Sequence, residues 1–205
     1  MTQPLLSIQL PYTAERLEDV GKLTNELCRQ IKEYNLTDLI VFDIDDRGKE
    51  ISIGEKRNDL YKRAGGIYCV QWDSDDWIAE DGLFEIIKAI QLIKNVDCVV
   101  YQEKCVINGE YFKSNHSILY NDWEGDGSKL LSDGFHYHRT PFFKSVIRTD
   151  LVQKVEVPRI RWGEDHEWAK ALKPLLHTQT GIDKEIYHYI HNSTNPTERY
   201  GLDKD

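Results

Sequence analysis

The chain has 205 residues, and its proportions of hydrophobic (40%) and charged (30%) residues are typical of a globular domain with a sizeable core. Its net charge of −9 argues against non-specific binding to nucleic acid or to anionic lipid. The sequence shows no run of about 18 apolar residues, no secretory signal and no Cys-x-x-Cys spacing, so we expect a cytoplasmic protein with free thiols rather than membrane spans, disulfides or a zinc site.

The first half of the chain alternates between short apolar runs and segments with helical periodicity. Residues 5–10 form an apolar run that Pro11 closes, which predicts a strand. In the next segment apolar residues recur every three or four positions, which predicts a helix with one apolar face. These residues are Leu17, Val20, Leu23, Leu27, Ile31 and Tyr34. Further strands are predicted at 39–42, 51–53 and 67–72, and further helices at 57–64 and 77–93.

The second half is richer in predicted strands, which lie at 97–101, 105–107, 142–147 and 186–190. One helix is predicted at 164–173, where Pro174 ends it. Asn108-Gly109 is a dipeptide typical of a hairpin turn. The segment 109–139 is rich in Gly, Asp, Ser and aromatic residues and shows neither period, so the sequence assigns it no secondary structure.

Acidic residues directly follow two of the predicted strands. Asp43, Asp45 and Asp46 end one, and the tetrapeptide Asp-Ser-Asp-Asp at 73–76 follows the strand at 67–72. The alternation of strands and helices predicts a parallel α/β sheet with right-handed crossovers. Because ligands gather at the carboxyl ends of such strands, the acids are expected to converge on a binding edge. Their mutual repulsion requires a cation or a ligand donor to offset it.

The tetrapeptide is the first candidate site. At a strand end, Asp73 and Asp75 are two residues apart and point to the same face. Paired carboxylates suit Mg²⁺ or Mn²⁺, and a diphosphate would supply the remaining oxygens. The alternative is that Asp75 or Asp76 only caps the helix predicted to begin at residue 77.

Lys56-Arg57-Asn58 is the second candidate. A cation near clustered carboxylates can bind a diphosphate or an oxygen close to a nucleobase. The alternative, which this tripeptide alone favours, is the solvated start of a helix.

The third candidate is the segment 162–168, Trp-Gly-Glu-Asp-His-Glu-Trp. Glu164 and Asp165 would open a helix, where the dipole keeps a carboxylate ionised and able to act as a general base. Trp162 could offer a flat apolar face to a sugar. The alternative is helix capping by the acids, with Trp168 in the core.

His188 and His191 are the last candidates. Either could ligate a metal or donate to a phosphate. The alternative, which a histidine in an aromatic strand favours, is a structural role.

Four segments occur in the order found in one enzyme family. They are 6–11; then Arg57, Asn58, Ala64, Gly66, Tyr68 and 73–76 with their spacing; then 163–165; and last 187–194. Together they extend from about residue 5 to residue 195 and resemble the motifs of glycosyltransferase family 2, the inverting enzymes of the GT-A fold.

The resemblance implies one GT-A domain over 1–205, an α/β fold with a mixed, mainly parallel sheet flanked by helices. Residues 1–100 would bind the nucleotide sugar and 101–205 the acceptor. The implied nucleotide-sugar site comprises Pro11, Tyr12, Asp43, Arg57, Asp73 and Ser74. The implied metal ligands are Asp75, Asp73 and His191, holding Mn²⁺ or Mg²⁺, and Trp162 and Glu164 would contact the acceptor.

The implied reaction is a single inverting displacement, in which Asp165 deprotonates the acceptor hydroxyl that attacks a nucleotide-diphosphate sugar, with UDP-sugars favoured. The acceptor could be a glycan, a lipid-linked saccharide or a modified nucleobase. Two features depart from the family: 44–47, Ile-Asp-Asp-Arg, replaces the usual Gly-Ser, and 109–139 has no counterpart. We expect acceptor recognition in the latter segment.

Two other functions remain alternatives. A nucleotidyltransferase can share this sheet and acidic edge, but it needs a glycine-rich phosphate loop, and 11–16 contains no glycine. A non-catalytic nucleotide-sugar-binding module could keep the fold, although the presence of Asp73, Asp75 and Asp165 argues against it.

Overall fold

Nine strands join one mixed sheet in the computed structural model of the chain, which describes residues 3–160 and 162–192. The strands are β1 Leu6–Pro11, β2 Ile40–Asp45, β3 Tyr68–Gln71, β4 Trp77–Ile78, β5 Cys98–Ile107, β6 Glu110–His116, β7 Tyr137–Arg139, β8 Val146–Arg148 and β9 Gln179–His191. The main path is β2-β1-β3-β8-β5-β6-β7, and β9 pairs with β5 on one side and β4 on the other. Pairing is parallel in β1–β2, β1–β3, β5–β9 and β6–β7, and antiparallel elsewhere.

Helices cover both faces of this sheet. They are α1 Leu17–Glu33, α2 Ile53–Arg63, α3 Gly82–Leu92, the short α4 Thr149–Val152 and α5 Glu164–Leu172. In β3, Tyr68 and Val70 belong to the apolar cluster that includes α1 and α3, whereas Cys69 belongs to the cluster that includes α4 and α5. This alternation follows from the period of two in a strand. The predicted fold class, α/β with a mixed sheet flanked by helices, is confirmed.

The predicted strand at 51–53 is wrong, because these residues lead into α2. The Ser52 side chain caps α2 by accepting a hydrogen bond from the Glu55 amide at 3.2 Å. The Ser-x-x-Glu spacing is the sequence signal of such a cap. The helix predicted at 57–64 therefore begins four residues earlier, at Ile53.

Two other boundaries also differ from expectation. The helix predicted from residue 77 begins at Gly82, since Trp77 and Ile78 form β4 against β9. The two strands predicted within 97–107 are one continuous strand, β5, in which polar residues interrupt the apolar pattern without ending the pairing. The Asn108-Gly109 turn is confirmed: both residues have positive φ, 52° and 83°, between β5 and β6.

The four cysteines, Cys28, Cys69, Cys98 and Cys105, are all free. No helix within the part of the chain that the structure describes is long and apolar enough to cross a membrane. Residues 193–194 of the closing motif lie outside the described residues.

Candidate functional site

A cleft of about 1650 Å³ opens where β1 and β3 end. Its walls come from the turn after β1, the start of α2, the β5–β6–β7 region and the segment that leads into α5. Nine of the eleven site residues that the family resemblance implies line it: Pro11, Tyr12, Arg57, Asp73, Asp75, Trp162, Glu164, Asp165 and His191. The fold therefore brings the nucleotide-side and acceptor-side candidates to one opening.

Asp43 and Ser74 are not among the residues that line the cleft. The Asp43 carboxylate, on the edge strand β2, accepts a hydrogen bond from Arg63 Nε at 2.6 Å. Ser74 is buried, and its Oγ has no hydrogen-bond partner among the described residues. Their roles in binding a nucleotide sugar stay predictions that this geometry does not support.

Asp73 lies at the end of β3 and is held by the buried Arg57. Arg57 Nη2 donates to Asp73 Oδ1 at 2.8 Å, and the guanidinium lies 3.5 Å from the centre of the Phe143 ring. Burial alone would raise the pKa of Asp73, but the charges of Arg57 and Lys144 outweigh it and keep the pKa below its ordinary value. Asp73 is therefore an ionised carboxylate at the cleft floor.

Asp75 is held from the other side of the cleft. Arg16 Nη1, in the turn after β1, lies 2.6 Å from Asp75 Oδ1, and both side chains are partly exposed. Sequence reasoning missed Arg16, which stands in an ordinary charged helix start. The two arginines reach only Oδ1 of Asp73 and of Asp75, so Oδ2 of each carboxylate lies outside these ion pairs.

Asp76, the last acid of the tetrapeptide, binds other parts of the protein through both of its carboxylate oxygens. Its Oδ2 accepts from the Tyr187 hydroxyl at 2.6 Å, and its Oδ1 accepts from the Ile190 amide at 2.8 Å. Lys144 Nζ lies 3.5 Å from Oδ2. Burial raises the pKa of Asp76, and Lys144 offsets this only in part. Asp76 thus fixes β9 to the strand end that bears Asp73.

A row of buried charges runs from Asp76 along the cleft, where Lys144 and Glu103 are lining residues, and the sequence analysis did not identify it. Lys144 Nζ lies 3.0 Å from Glu103 Oε1, and Glu103 Oε2 lies 3.3 Å from His116 Nε2. Burial would raise the pKa of Glu103, but Lys144 and His116 lower it well below the ordinary value. The Lys144 pKa is raised because Glu103 and Asp76 outweigh the effect of its burial. The available signal was charge within apolar segments: Glu103 and Lys104 in 98–107, and Lys144 in 142–147.

The described residues contain no group of three or more His, Cys, Asp or Glu side chains arranged to hold a metal ion. Asp73 and Asp75 offer the hard oxygen donors that Mg²⁺ and Mn²⁺ prefer, each with an oxygen outside its ion pair. His191 lines the same cleft, and its ring stacks on Tyr189. These side chains fit a divalent ion only as a partial set that ligand oxygens complete.

The opposite wall carries the acidic pair at the start of α5. Gly163 adopts φ 78°, a conformation that favours glycine, and starts the helix there. Burial raises the pKa of Glu164, and the adjacent charge of Asp165 adds to this effect. Asp165 Oδ1 accepts the His166 amide at 2.8 Å. Two carboxylates with different surroundings therefore face the cleft from one helix end.

The segment 109–139, to which the sequence assigns no secondary structure, forms part of one wall of the cleft. It contains β6 and β7, and Arg139 lies 4.8 Å from the Trp123 ring centre and 4.7 Å from that of Tyr137. Arg139 Nη1 donates to two main-chain carbonyls, which fixes the guanidinium. Trp162 is 61% exposed at the cleft rim. The wall thus combines aromatic surface with one oriented cation.

No family model matches the chain, and no curated protein matches its sequence. Solved structures do resemble its fold. Among them are S. aureus TarS 1-349, its complex with UDP-GlcNAc and its complex with UDP, with TM-scores of 0.62, 0.62 and 0.61 at 17% identity. The matches cover 91%, 95% and 96% of this chain but only 60%, 60% and 62% of those chains. At this identity the likeness establishes the shared fold alone.

Proposed function

We propose that the chain transfers a sugar from a nucleotide-diphosphate sugar to an acceptor hydroxyl. The observation that carries the proposal is the single cleft that joins the carboxylates at the end of β3 to the acidic pair at the start of α5. A two-substrate transfer needs these two elements in one opening, because a donor site and a base must meet at the reacting carbon. We assign residues 1–100 mainly to the donor and 101–205 mainly to the acceptor.

A UDP-sugar is the donor we favour, since the similar folds include complexes with UDP-GlcNAc and with UDP. Asp73 and Asp75 would hold Mg²⁺ or Mn²⁺ together with the diphosphate oxygens. A bound divalent ion supplies charge neutralisation for the departing diphosphate. Arg57 pairs with Asp73 and Arg16 with Asp75, in each case through Oδ1, so a metal and its diphosphate would approach Oδ2.

The proposed reaction is inverting. The acceptor oxygen forms a bond to C1 of the sugar as the bond from C1 to the diphosphate breaks, and the hydroxyl proton passes to Asp165. UDP leaves with the electron pair of the broken bond. Glu164 is the second candidate for the base, because burial raises its pKa toward neutrality. Asp165 is favoured because it is the acid that matches the family motif.

The test is turnover of a panel of nucleotide sugars, read as release of the nucleoside diphosphate, with Mn²⁺ and with chelator. We expect one donor to be hydrolysed or transferred only with metal. Asp75→Asn should remove the metal-dependent part of UDP affinity, measured by calorimetry. Asp46→Asn is the matched control, since Asp46 is an exposed acid that does not line the cleft. Equal UDP affinity with Mn²⁺ and with chelator would contradict the metal role.

A further inference from the structure

Lys56 is a buried ammonium without a carboxylate partner. Its side chain belongs to α2, the residue is 2% exposed, and Nζ donates to the carbonyl oxygens of Tyr12, at 3.0 Å, and Arg47. No carboxylate within residues 3–160 or 162–192 lies within 4.0 Å of Nζ. Burying a charge is costly unless it is paired or fully hydrogen-bonded. An ammonium has three donors, and the two carbonyls take two of them.

The position of Lys56 separates it from the metal side of the cleft. Tyr12 follows β1 and Arg47 follows β2, so Nζ lies between the ends of these two strands. The next residue, Arg57, turns to Asp73 at the end of β3, on the other side of β1. Neighbouring residues of a helix point about 100° apart, which explains the division. Lys56 also lines the cleft.

The two acids of β2 that could accept a hydrogen bond from a nucleobase are already paired with arginines. Asp43 is bound by Arg63 Nε at 2.6 Å. Asp45 is buried, and the Arg47 guanidinium binds both of its oxygens, with Nη2 to Oδ2 at 2.6 Å. Lys56 lines the cleft between the ends of β1 and β2, whereas Asp43, Asp45 and the exposed Asp46 do not, so a ligand there meets a positive donor in Lys56.

We propose that Lys56 determines nucleobase specificity by donating its third N–H to the keto oxygen at position 4 of the base. The inference rests on the proposed function, since it assumes that a nucleoside diphosphate occupies the cleft. Uracil carries keto oxygens at its 2 and 4 positions, whereas cytosine carries an amino group at position 4. At that position an ammonium would face a second donor in cytosine, so the site selects UDP over CDP.

The experiment is calorimetric binding of UDP and of CDP to the whole chain with Mn²⁺. We expect the wild type to bind UDP at least about tenfold more tightly than CDP, the usual worth of a hydrogen bond to a charged group. Lys56→Met should reduce that ratio to near one. The control is Lys49→Met: Lys49 lines the same cleft, is exposed, and pairs with Glu15 at 3.0 Å. It should change both affinities by the same factor.

A purely structural Lys56 would predict a different result, because loss of the link between the turns would weaken UDP and CDP equally and leave their ratio unchanged. That outcome in a folded variant overturns the inference and leaves the proposed function standing. Failure of the wild type to bind either nucleotide overturns both. If Lys56→Met does not fold, Lys56→Gln keeps a donor for the Tyr12 carbonyl, and its amide can also accept from an amino group. The ratio of UDP affinity to CDP affinity should therefore fall in Lys56→Gln, and an unchanged ratio overturns the inference.

Discussion

Substituting Lys144 by methionine tests the buried charge row directly. Lys144 is 5% exposed and lies 3.0 Å from Glu103 Oε1 and 3.5 Å from Asp76 Oδ2. Methionine keeps the apolar length of the side chain and removes the charge. Two buried carboxylates then lose their cation, and breaking a buried ion pair from one side costs about 3–5 kcal/mol. We expect Lys144→Met to lose about that free energy of unfolding at pH 7.

The pH dependence gives the sharper test, because the substitution should reverse the direction in which the pKa of Glu103 is shifted. In the wild type the pKa of Glu103 is lowered from 4.5 to about 2, so its contribution is present above pH 4.5 and is lost as pH falls toward 2. A shift of this size corresponds to about 3 kcal/mol. Without Lys144, burial dominates and raises the pKa of Glu103 above its ordinary value. The variant should therefore recover part of its stability relative to the wild type as pH falls from 8 to 5. In this window the wild-type contribution of Glu103 is constant, and Asp76, whose pKa is raised to about 7, gains stability in the wild type as well.

Urea unfolding followed by tryptophan fluorescence at several pH values between 5 and 8 measures both effects. Lys88→Met is the control, since Lys88 is exposed and its pair with Glu85, at 3.3 Å, is worth at most about 1 kcal/mol. Adding Glu103→Gln to Lys144→Met should restore part of the stability at pH 8. A loss below about 1 kcal/mol in Lys144→Met, or a loss that does not change with pH, would refute the reasoning.

Three further predictions concern the cleft and its support. Asp165→Asn should lower kcat by roughly 10²- to 10⁴-fold in steady-state assays while UDP affinity is kept, as for a general base. Arg16→Gln frees Asp75 and should tighten Mn²⁺ binding to the nucleotide-free protein by up to about fivefold, the worth of an exposed ion pair, read by electron paramagnetic resonance of free Mn²⁺. Gly54→Ala places a Cβ 2.4 Å from the Pro158 carbonyl oxygen and should destabilise by about 1–3 kcal/mol in thermal unfolding.

Each has a matched control. Glu164→Gln should reduce kcat less than Asp165→Asn, and the reverse order would assign the base to Glu164. Weaker Mn²⁺ binding in Arg16→Gln would mean that the arginine positions the metal site instead of competing for it. Gly21→Ala in α1 meets no atom within 4 Å and should stabilise by about 0.5–1 kcal/mol, so a loss there would show that glycine substitution is harmful in general.

Local patterns in the sequence predict the helices and central strands well, because an element that buries one face carries apolar residues at regular spacing. The apolar residues of α1 recur at helical spacing, and Val20, Leu23 and Leu27 are buried as expected. All of β1 is buried, including the polar residues Ser7 and Gln9 that alternate with its apolar residues, in agreement with a strand inside the sheet. The α5 start was also predictable, since Gly163 followed by two acids is a local signal.

Long-range pairing explains the failures. Trp77 and Ile78 form β4 only because β9, more than a hundred residues later, pairs with them. Glu103 lies inside a strand only because Lys144 and His116 compensate its charge from elsewhere in the chain. No local pattern reports such partners. The arginines and the lysine that pair with the strand-end acids are likewise not reported by any local pattern. These ion pairs determine which carboxylate oxygens a ligand could contact.

The acidic edge was expected to need a cation or a ligand donor, yet the chain itself supplies a side-chain cation to five of its acids. The pairs are Asp43–Arg63, Asp45–Arg47, Asp73–Arg57, Asp75–Arg16 and Asp76–Lys144. These cations offset the repulsion only in part, since the charge of Asp73 adds to the effect of burial in raising the pKa of Asp75. Repulsion by itself is therefore a weak argument for a metal. The argument that remains is one of access. Of these five carboxylates, Asp73 and Asp75 line the cleft with Oδ2 outside their ion pairs with arginine, whereas both oxygens of Asp76 accept hydrogen bonds. A divalent ion in this protein would have to bind those two free oxygens, and it would bind weakly until a diphosphate supplied the rest.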